Sequence, residues 1–452
     1  MDMTRHTTRR AWLVGAPQAG ALVALALGAC SREPAAGGRL PTAPITLRVS
    51  SAANEMGEMA ATRYPAFTAQ HPTVKVVFED TPDYSSKLIV LAAAEGLGDL
   101  AMIYLSSGAY HYLAPNGVLV DTTPLATRDK YDLKQFYAVA IDAIRINKNL
   151  YGLPFKAQNA NTGLFWNVET FEARGLKQPT PDWTYSDLAD AAGKLTKREG
   201  TTTSAYGIAC NWRSYTTMSA VLRPWGGDVL SPDGKKVVLD QAAAQQALSY
   251  HYDLVLKQQS AMIPPQISDT VAAFTKGEAA MLARALVGNA GLIIQATQGR
   301  MRWNMVRMPK GPTGRRGGLM LPSTMSITGA SKQPDWAWEL CKWTCDKEAG
   351  VALAMQVQGS STPGARPDVY NDPRLTNRPG YPAGYSEEQR GAMAEPEPFV
   401  TPWNFTVNDL NMALGTELDK ITKGEVPLSA TSLQAAAKQL QVILDRPPPR
   451  LK

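Results

Sequence analysis

The fold is decided by two short runs, Ile45-Thr-Leu-Arg-Val-Ser50 and Val74-Lys-Val-Val-Phe-Glu79, which flank a stretch with apolar residues at helical spacing. Both runs are rich in β-branched residues, as β-strands are. A second helical stretch, Tyr84 to Glu95, leads to a third run, Asp99 to Leu105. This βαβαβ order predicts a parallel sheet with right-handed crossovers, and therefore an α/β fold.

The alternation of strands and helices continues beyond this segment. The pattern predicts a helix over Thr184 to Lys197, a strand over Ala205 to Cys210, and an almost purely helical tail from Pro334. The glycine-rich segment Gly311 to Gly318 lies between two predicted strands. We interpret it as a hairpin turn rather than a phosphate-binding loop, because no Gly-Lys-Ser/Thr ending follows.

Length and composition exclude several classes of protein. The chain has 452 residues, of which 44% are hydrophobic. Its length exceeds what one compact core supports, so we predict at least two domains. The net charge of +6 includes +2 from residues 1–29, and no basic run of five occurs. We therefore expect no nucleic-acid partner. The single long apolar stretch lies at the N-terminus, which excludes a polytopic membrane protein.

The N-terminus has the pattern of an export signal. Arg9 and Arg10 precede an apolar stretch, Ala11 to Ala29, which predicts a signal peptide over 1–29, of the twin-arginine or the general type. Leu27-Gly28-Ala29-Cys30 resembles a lipobox, in which Cys30 becomes lipidated; the alternative is a buried cysteine. Residues 30–44 are rich in Pro, Ala and Gly and predict a tether. An exported protein anchored by lipid to the bacterial membrane, in the periplasm or on the outer face of the cytoplasmic membrane, is expected.

Three further cysteines, Cys210, Cys341 and Cys345, cannot all pair within the chain. One disulfide at most, or plain core thiols, remain open. No nearby histidine or second cysteine pair completes a metal site, so we expect no metal and no cofactor.

Several short motifs occur in the order typical of one family. In this order they resemble the extracellular solute-binding protein family 1 of bacterial ABC importers, which are carbohydrate-binding lipoproteins. The motifs are Leu150-Tyr-Gly-Leu-Pro-Phe155, Leu164-Phe-Trp-Asn-Val-Glu-Thr-Phe171, Pro181-Asp-Trp-Thr-Tyr-Ser-Asp-Leu188, Trp225-Gly-Gly227, Phe274-Thr-Lys-Gly-Glu-Ala-Ala-Met281, Pro309-Lys-Gly-Pro-Thr-Gly314 and Gly359 to Pro363.

The resemblance implies a two-lobe periplasmic-binding-protein type II fold with hinge crossings and a helical C-terminal tail. One lobe would comprise 45–155 plus 309–362, and the other 156–308 plus 363–450. The implied function is capture of a sugar or oligosaccharide between the lobes by hinge closure, and its delivery to an ABC permease by a monomeric protein. Two alternatives stay open: a binding protein for another solute such as glycerol phosphate, and an exported carbohydrate-active enzyme. We expect no enzyme, because no Gly-x-Ser-x-Gly or metal-ligand pattern occurs.

A sugar presents apolar C–H faces and a rim of hydroxyl groups, so aromatic and planar polar side chains are the candidate contacts. Trp212 and Trp225 flank segments that approach the cleft in the resembling family, and Trp403 lies in a late loop that is a similar candidate. The alternative for each of them is core packing.

Polar side chains also follow the predicted strands, where open α/β sheets bind ligands. Asn54 follows the first predicted strand, and Ser106, Ser107 and Tyr110 follow the third. Asn159 and Asn161 are candidates because they lie just past Tyr151-Gly-Leu-Pro154, where the resemblance implies that crossing chains line the cleft. Asn54 could equally serve as a helix cap.

Four basic residues distinguish this chain from a neutral-sugar pattern: Lys156, Arg213, Arg284 and Arg366. A guanidinium binds carboxylate or phosphate in a bidentate manner, so these residues favour an acidic ligand such as a uronic-acid oligosaccharide. The alternative is that they pair with carboxylates of the protein itself.

Overall fold

The described chain has thirteen β-strands, three of which form at the three runs of the predicted βαβαβ segment. The computed structural model describes residues 40–53, 55–200, 202–263, 269–356 and 361–448, and Ala36–Lys452 form one compact unit. The strands of the described chain are β1 (Ile45–Ala52), β2 (Val74–Thr81), β3 (Leu100–Tyr104), β4 (Arg145–Ile146), β5 (Asn149–Leu150), β6 (Leu153–Ala160), β7 (Gly163–Asn167), β8 (Lys197–Glu199), β9 (Thr202–Ala209), β10 (Ala261–Met262), β11 (Ala279–Ala285), β12 (Trp303–Arg307) and β13 (Leu319–Ile327).

The α-helices alternate with these strands and then dominate the C-terminal third. They are α1 (Tyr64–Gln70), α2 (Tyr84–Ala93), α3 (Ala109–Leu113), α4 (Thr123–Arg128), α5 (Ala138–Ala143), α6 (Val168–Ala173), α7 (Tyr185–Leu195), α8 (Tyr215–Leu222), α9 (Ala242–Tyr252), α10 (Thr270–Thr275), α11 (Ala290–Thr297), α12 (Pro334–Thr344), α13 (Lys347–Met355), α14 (Pro367–Tyr370), α15 (Tyr385–Ala394), α16 (Val407–Thr422) and α17 (Ala430–Leu444).

The first sheet has the strand order β2-β1-β3-β13-β6. β1 is parallel to both β2 and β3, with Ile45 opposite Val74 and Val49 opposite Leu100, so the predicted parallel order is confirmed. β13 is antiparallel to both β3 and β6. β6 therefore points in the same direction as β3, and it stays in this sheet as far as Ala160.

The second sheet has the order β10-β9-β11-β7-β12. Met281 of β11 lies between Ile208 of β9 and Trp166 of β7. Helices α7, α8, α9, α16 and α17 bury their apolar faces against one side of this sheet in one continuous core. The two sheets and their helices form the two lobes.

The hairpin predicted at Gly311–Gly318 is wrong. β12 belongs to the second sheet and β13 to the first, so this segment crosses between the lobes. A strand, a glycine-rich turn and another strand form the same local pattern in a hairpin and in a crossing. The backbone of the crossing passes so close to the second lobe at Gly317 that a side chain would not fit there. A Cβ on Gly317, whose φ is +83°, would lie 2.5 Å from the Ala220 carbonyl oxygen.

Two other segments connect the lobes. The shortest joins Ala160, at the end of β6, to Gly163, at the start of β7. The other, residues 376–384, runs from α14, whose Tyr370 packs in the core of the first sheet, to α15, whose Tyr385 packs on the second.

The cysteines Cys210, Cys341 and Cys345 are buried and carry free thiols. The sequence left open one disulfide or plain core thiols, and in the structure these three residues are plain core thiols. The Cys341 thiol donates to the Met325 carbonyl of β13 at 3.3 Å, which ties α12 to the first sheet.

Candidate functional site

The loop-bearing edges of the two sheets face one another. β1, β3 and β6 point the same way, so their carboxyl ends meet at one edge of the first sheet. In the second sheet, β9 and β11 end at the edge where β7 begins. Since only two residues separate the end of β6 from the start of β7, these edges form opposite walls of a cleft. This is where open α/β sheets bind ligands.

A cavity of about 310 Å³ lies between the segment after β3 in the first lobe and the start of α16 in the second. Ile89 of α2, together with Ser107 and Tyr112 from the segment after β3, lines it from the first lobe. Asn408 and Asp409 of α16 line it from the second lobe. Further lining residues are Gly108, Ala109, Phe405, Thr406, Arg446 and Pro447. Its volume is at the lower end of the range for small-molecule sites.

The cavity combines apolar and polar surfaces. Tyr112 and Phe405 supply aromatic rings from opposite walls. The carboxylate of Asp409 accepts a hydrogen bond from Arg446 at 3.2 Å, so these two charges largely offset each other. Ser107 donates to the Tyr104 carbonyl at 2.7 Å, which fixes the turn at the end of β3.

Phe405 makes direct contact across the cleft. Its ring stacks on that of His111 with a centroid separation of 6.3 Å and an interplanar angle of 19°. Its φ is +63°, a left-handed conformation that costs a residue with a side chain about 1–2 kcal/mol. Gly108 fits beneath it, since a Cβ there would approach the Phe405 carbonyl oxygen to 3.0 Å. A strained residue at a cleft is a common feature of binding sites.

Among the predicted contacts of the first lobe, Ser107 lines this cavity and Ser106 is its neighbour in sequence. Ser106 is half-buried. Tyr110 is fully buried and donates to the Ile144 carbonyl at 2.6 Å, inside the core of this lobe. Asn54 lies outside the described residues.

Lys156 is buried and forms an ion pair with Glu55, from the loop after β1. Burial pulls the pKa of this ammonium below its ordinary value, to about 7. The adjacent Glu55 carboxylate is the group that favours the charged form.

Asn159 and Asn161 bind the two lobes together beside the crossings. The Asn159 side-chain amide donates to the Ala392 carbonyl at 2.6 Å and to the Glu395 carbonyl at 3.0 Å. The Asn161 amide donates to the Thr216 carbonyl at 3.3 Å.

The arginines have different surroundings. Arg213 pairs with Asp419 at 2.7 Å, and Arg366 pairs with Asp368 at 2.7 Å. With Lys156, they therefore match the alternative in which basic residues pair with the protein's own carboxylates. Arg284 is buried at a β-bulge and donates to the Ala220 carbonyl and the Tyr185 hydroxyl, with no carboxylate partner in the described part of the chain.

The three predicted tryptophans lie in or against the core of the second lobe. Trp212 is 1% exposed and meets the His251 ring edge-on at 5.6 Å. Trp225 is half-buried and lies 4.5 Å from the Tyr185 ring. Trp403 donates to the Leu444 carbonyl at 2.7 Å, while its neighbour Phe405 reaches the cavity.

The sequence did not single out Tyr112, Phe405, Asn408, Asp409 or Arg446. Tyr112 lies in the same segment as Ser106, so the position of that loop after β3 is a signal that could have found it. The other four come from the C-terminal helices, whose docking against the first lobe leaves no local pattern.

His251, in the aromatic cluster beside Arg284, supports a pH prediction. Burial, followed by the Arg284 charge, lowers the pKa of this imidazole from 6.5 to about 3. The unfolded chain therefore binds a proton that the folded chain refuses, and stability is lost as the pH falls from 6.5 towards 3. We expect His251→Gln to reduce the loss of unfolding free energy between pH 6 and pH 4 by about 2–3 kcal/mol, measured by urea titration. An unchanged pH dependence in this variant would contradict the assignment.

Comparisons with known proteins agree with this geometry. A family model described as bacterial extracellular solute-binding protein matches residues 62–383. No curated protein matches the chain. An ABC substrate-binding protein of Listeria monocytogenes in complex with cycloalternan superposes with a TM-score of 0.76 at 18% identity, over 89% of this chain and 99% of that one.

Two further structures show the same fold. A Streptomyces glaucescens receptor, solved unliganded and with acarbose, has a TM-score of 0.72 at 19% identity over 88% of this chain and 98% of its own. A Mycobacterium tuberculosis protein in complex with glycerophosphocholine has a TM-score of 0.71 at 14% identity over 89% and 99%.

Membrane-spanning helices and metal-binding clusters are both absent from the described residues. No helix in this part of the chain is both long and apolar enough to cross a bilayer. Within the same residues, no group of three or more His, Cys, Asp and Glu side chains could hold a metal ion.

Proposed function

Because the chain belongs to the bacterial extracellular solute-binding protein family, we propose that it binds a sugar or oligosaccharide in the 310 Å³ cavity and delivers it to an ABC permease. The observation that carries this proposal is that the cavity takes its lining from both lobes. A ligand that contacts both lobes favours their closed arrangement, which the permease can then recognise.

The lining favours a neutral carbohydrate. The rings of Tyr112 and Phe405 suit the apolar faces of a sugar, and Ser107, Thr406 and Asn408 offer hydrogen bonds to its hydroxyl groups. Among the described lining residues, one side chain is acidic and one is basic, and these two pair with each other. This arrangement resembles the chemistry expected for the sugars bound by the cycloalternan and acarbose proteins.

An acidic ligand has less support. Of the four basic residues that suggested one, three already have carboxylate partners in the protein. Arg284 donates to neutral groups in the core of the second lobe, away from the cavity lining. Binding of a phosphate ester stays the second candidate, because the glycerophosphocholine protein shares the fold.

The remaining predictions belong to this proposal. We propose that Cys30 carries a lipid anchor on an exported monomer and that the protein binds its solute without transforming it. The lobe boundaries expected at 155/156 and 362/363 move to the crossings at 160–163 and 376–384, because β6 stays in the first sheet as far as Ala160 and Tyr370 packs in the core of that sheet. The membership of an extracellular solute-binding family supports export and binding.

A thermal-shift panel on the chain from Ala36 tests the ligand class. Maltotriose and cycloalternan represent neutral carbohydrates, and uronate oligomers and glycerol phosphate represent acidic solutes. A ligand at 100 times its dissociation constant stabilises the folded state by about 2.7 kcal/mol. We expect a neutral carbohydrate to raise the melting temperature. A rise with uronates or glycerol phosphate alone would replace the neutral assignment, and no rise with any of them would contradict the proposal.

A further inference from the structure

A second cavity, of about 150 Å³, lies on the hinge side of the molecule. Ile294 of α11 lines it from the second lobe, and Met355, at the end of α13, lines it from the first. Arg378 and Tyr381, on the 376–384 crossing, complete the wall. The volume equals on the order of five water molecules in the liquid, which is enough for a small organic ion.

Arg378 in this cavity is a buried cation. It is 3% exposed, and its guanidinium donates to two neutral acceptors, the Ala354 carbonyl at 2.9 Å and the Gln389 side-chain oxygen at 3.1 Å. Its Cζ lies 3.9 Å from the centroid of the Tyr381 ring. Its Nε is buried and has no hydrogen-bond partner among the described residues.

No carboxylate of the described chain pairs with Arg378, unlike its counterparts near the other crossings. Arg223 pairs with Asp228 at 2.8 Å, and Arg307 with Glu388 at 3.0 Å. A buried charge is costly unless it is paired, and a buried donor without an acceptor adds to that cost. An anion in the cavity would supply the opposite charge that the Arg378 guanidinium lacks.

We propose that this hinge-side cavity binds a small monocarboxylate with a short apolar tail. The carboxylate pairs with the guanidinium of Arg378, which lines the cavity. The tail contacts Ile294, Met355 and Tyr381, which make this wall mostly apolar. The site is separate from the 310 Å³ cavity and shares no lining residue with it.

A thermal unfolding experiment on the chain from Ala36 tests this proposal. The melting temperature is measured in sodium acetate, propionate or butyrate and compared with that in sodium chloride at the same ionic strength. At ten times its dissociation constant, a carboxylate lowers the unfolding equilibrium constant about 11-fold. We expect a saturating, carboxylate-specific rise in the melting temperature. Arg378→Gln should abolish it, and Arg374→Gln should retain it, because Arg374 pairs with Asp372 and Glu348 at the surface.

A second variant keeps the test decisive if Arg378→Gln does not fold. Met355 is 38% exposed, so Met355→Trp places an indole in the cavity from its open side with little effect on the core. This variant should also lose the carboxylate response, whereas Asn408→Trp in the 310 Å³ cavity should keep it. Equal stabilisation by chloride, or an undiminished response in Met355→Trp, would overturn the proposal. Neither result depends on which solute the other cavity binds.

Discussion

Asn408→Trp should weaken solute binding by at least about 100-fold, equivalent to a loss of about 2.7 kcal/mol, while the fold remains intact. Asn408 is exposed on α16 and lines the 310 Å³ cavity, so the helix accommodates a larger side chain there but the cavity does not. An indole in this position occupies space that the sugar needs between the lobes. Isothermal titration with the carbohydrate that gives the largest thermal shift measures the effect.

Thr416→Trp is the matched control. Thr416 lies two turns further along the same exposed stripe of α16, and it does not line the cavity. We expect this variant to bind the carbohydrate as the unmodified protein does. Full binding by Asn408→Trp would place the solute elsewhere, and equal losses in both variants would point to a defect of α16 rather than an occupied cavity.

Gly317→Ala should lower the free energy of unfolding by about 3–5 kcal/mol, because it combines two costs. The φ of +83° is unfavourable for any residue with a Cβ. The new methyl group would also lie 2.5 Å from the Ala220 carbonyl oxygen and 2.7 Å from a ring carbon of Pro224. Backbone on one side and a rigid ring on the other leave little room to relax. Urea unfolding followed by circular dichroism gives the difference.

Gly314→Ala separates these two costs. Gly314 lies in the same crossing with a similar φ of +77°, but nothing lies within 4 Å of its Cβ position. This variant should lose only about 1–2 kcal/mol, the cost of the backbone conformation alone. Equal losses in the two variants would show that the crossing does not pack against the second lobe as described.

The parallel order of β1, β2 and β3 could be predicted because it is encoded locally. Each strand has its own β-branched run, and each connecting helix its own apolar spacing. The path of Gly311–Gly318 could not be predicted in the same way. Which sheet a strand joins depends on partners far along the chain, and β13 pairs with residues from 153 to 160.

The candidate site was predictable only to the level of loops. The candidate segment after β3 contains Ser107, which lines the cavity, but Tyr112, which also lines it, was not singled out. Trp403 identified the correct late segment, but its indole binds Leu444 while Phe405 turns to the cavity. A left-handed residue such as Phe405 reverses the direction that an extended segment would give its side chain, and no local pattern marks it.

Two of the three basic residues that pair with carboxylates have partners far away in sequence, whereas Arg366 pairs with Asp368, two positions further on. Lys156 pairs with a residue 101 positions earlier, and Arg213 with one 206 positions later. For Lys156 and Arg213, sequence spacing therefore could not decide between an acidic ligand and an internal ion pair, because the same basic residues serve in both.

The most direct test of solute capture between the lobes is a distance measurement across the cavity. Val90 of α2 and Met412 of α16 are 68% and 70% exposed, and each lies within a turn of a lining residue on opposite walls. In the chain from Ala36, spin labels react selectively with the cysteines introduced by Val90→Cys and Met412→Cys. The native thiols of Cys210, Cys341 and Cys345 are buried and out of their reach. We predict that the carbohydrate that binds will shorten and narrow the distance distribution measured by double electron–electron resonance. Saturating binding with an unchanged distribution would contradict capture between the lobes.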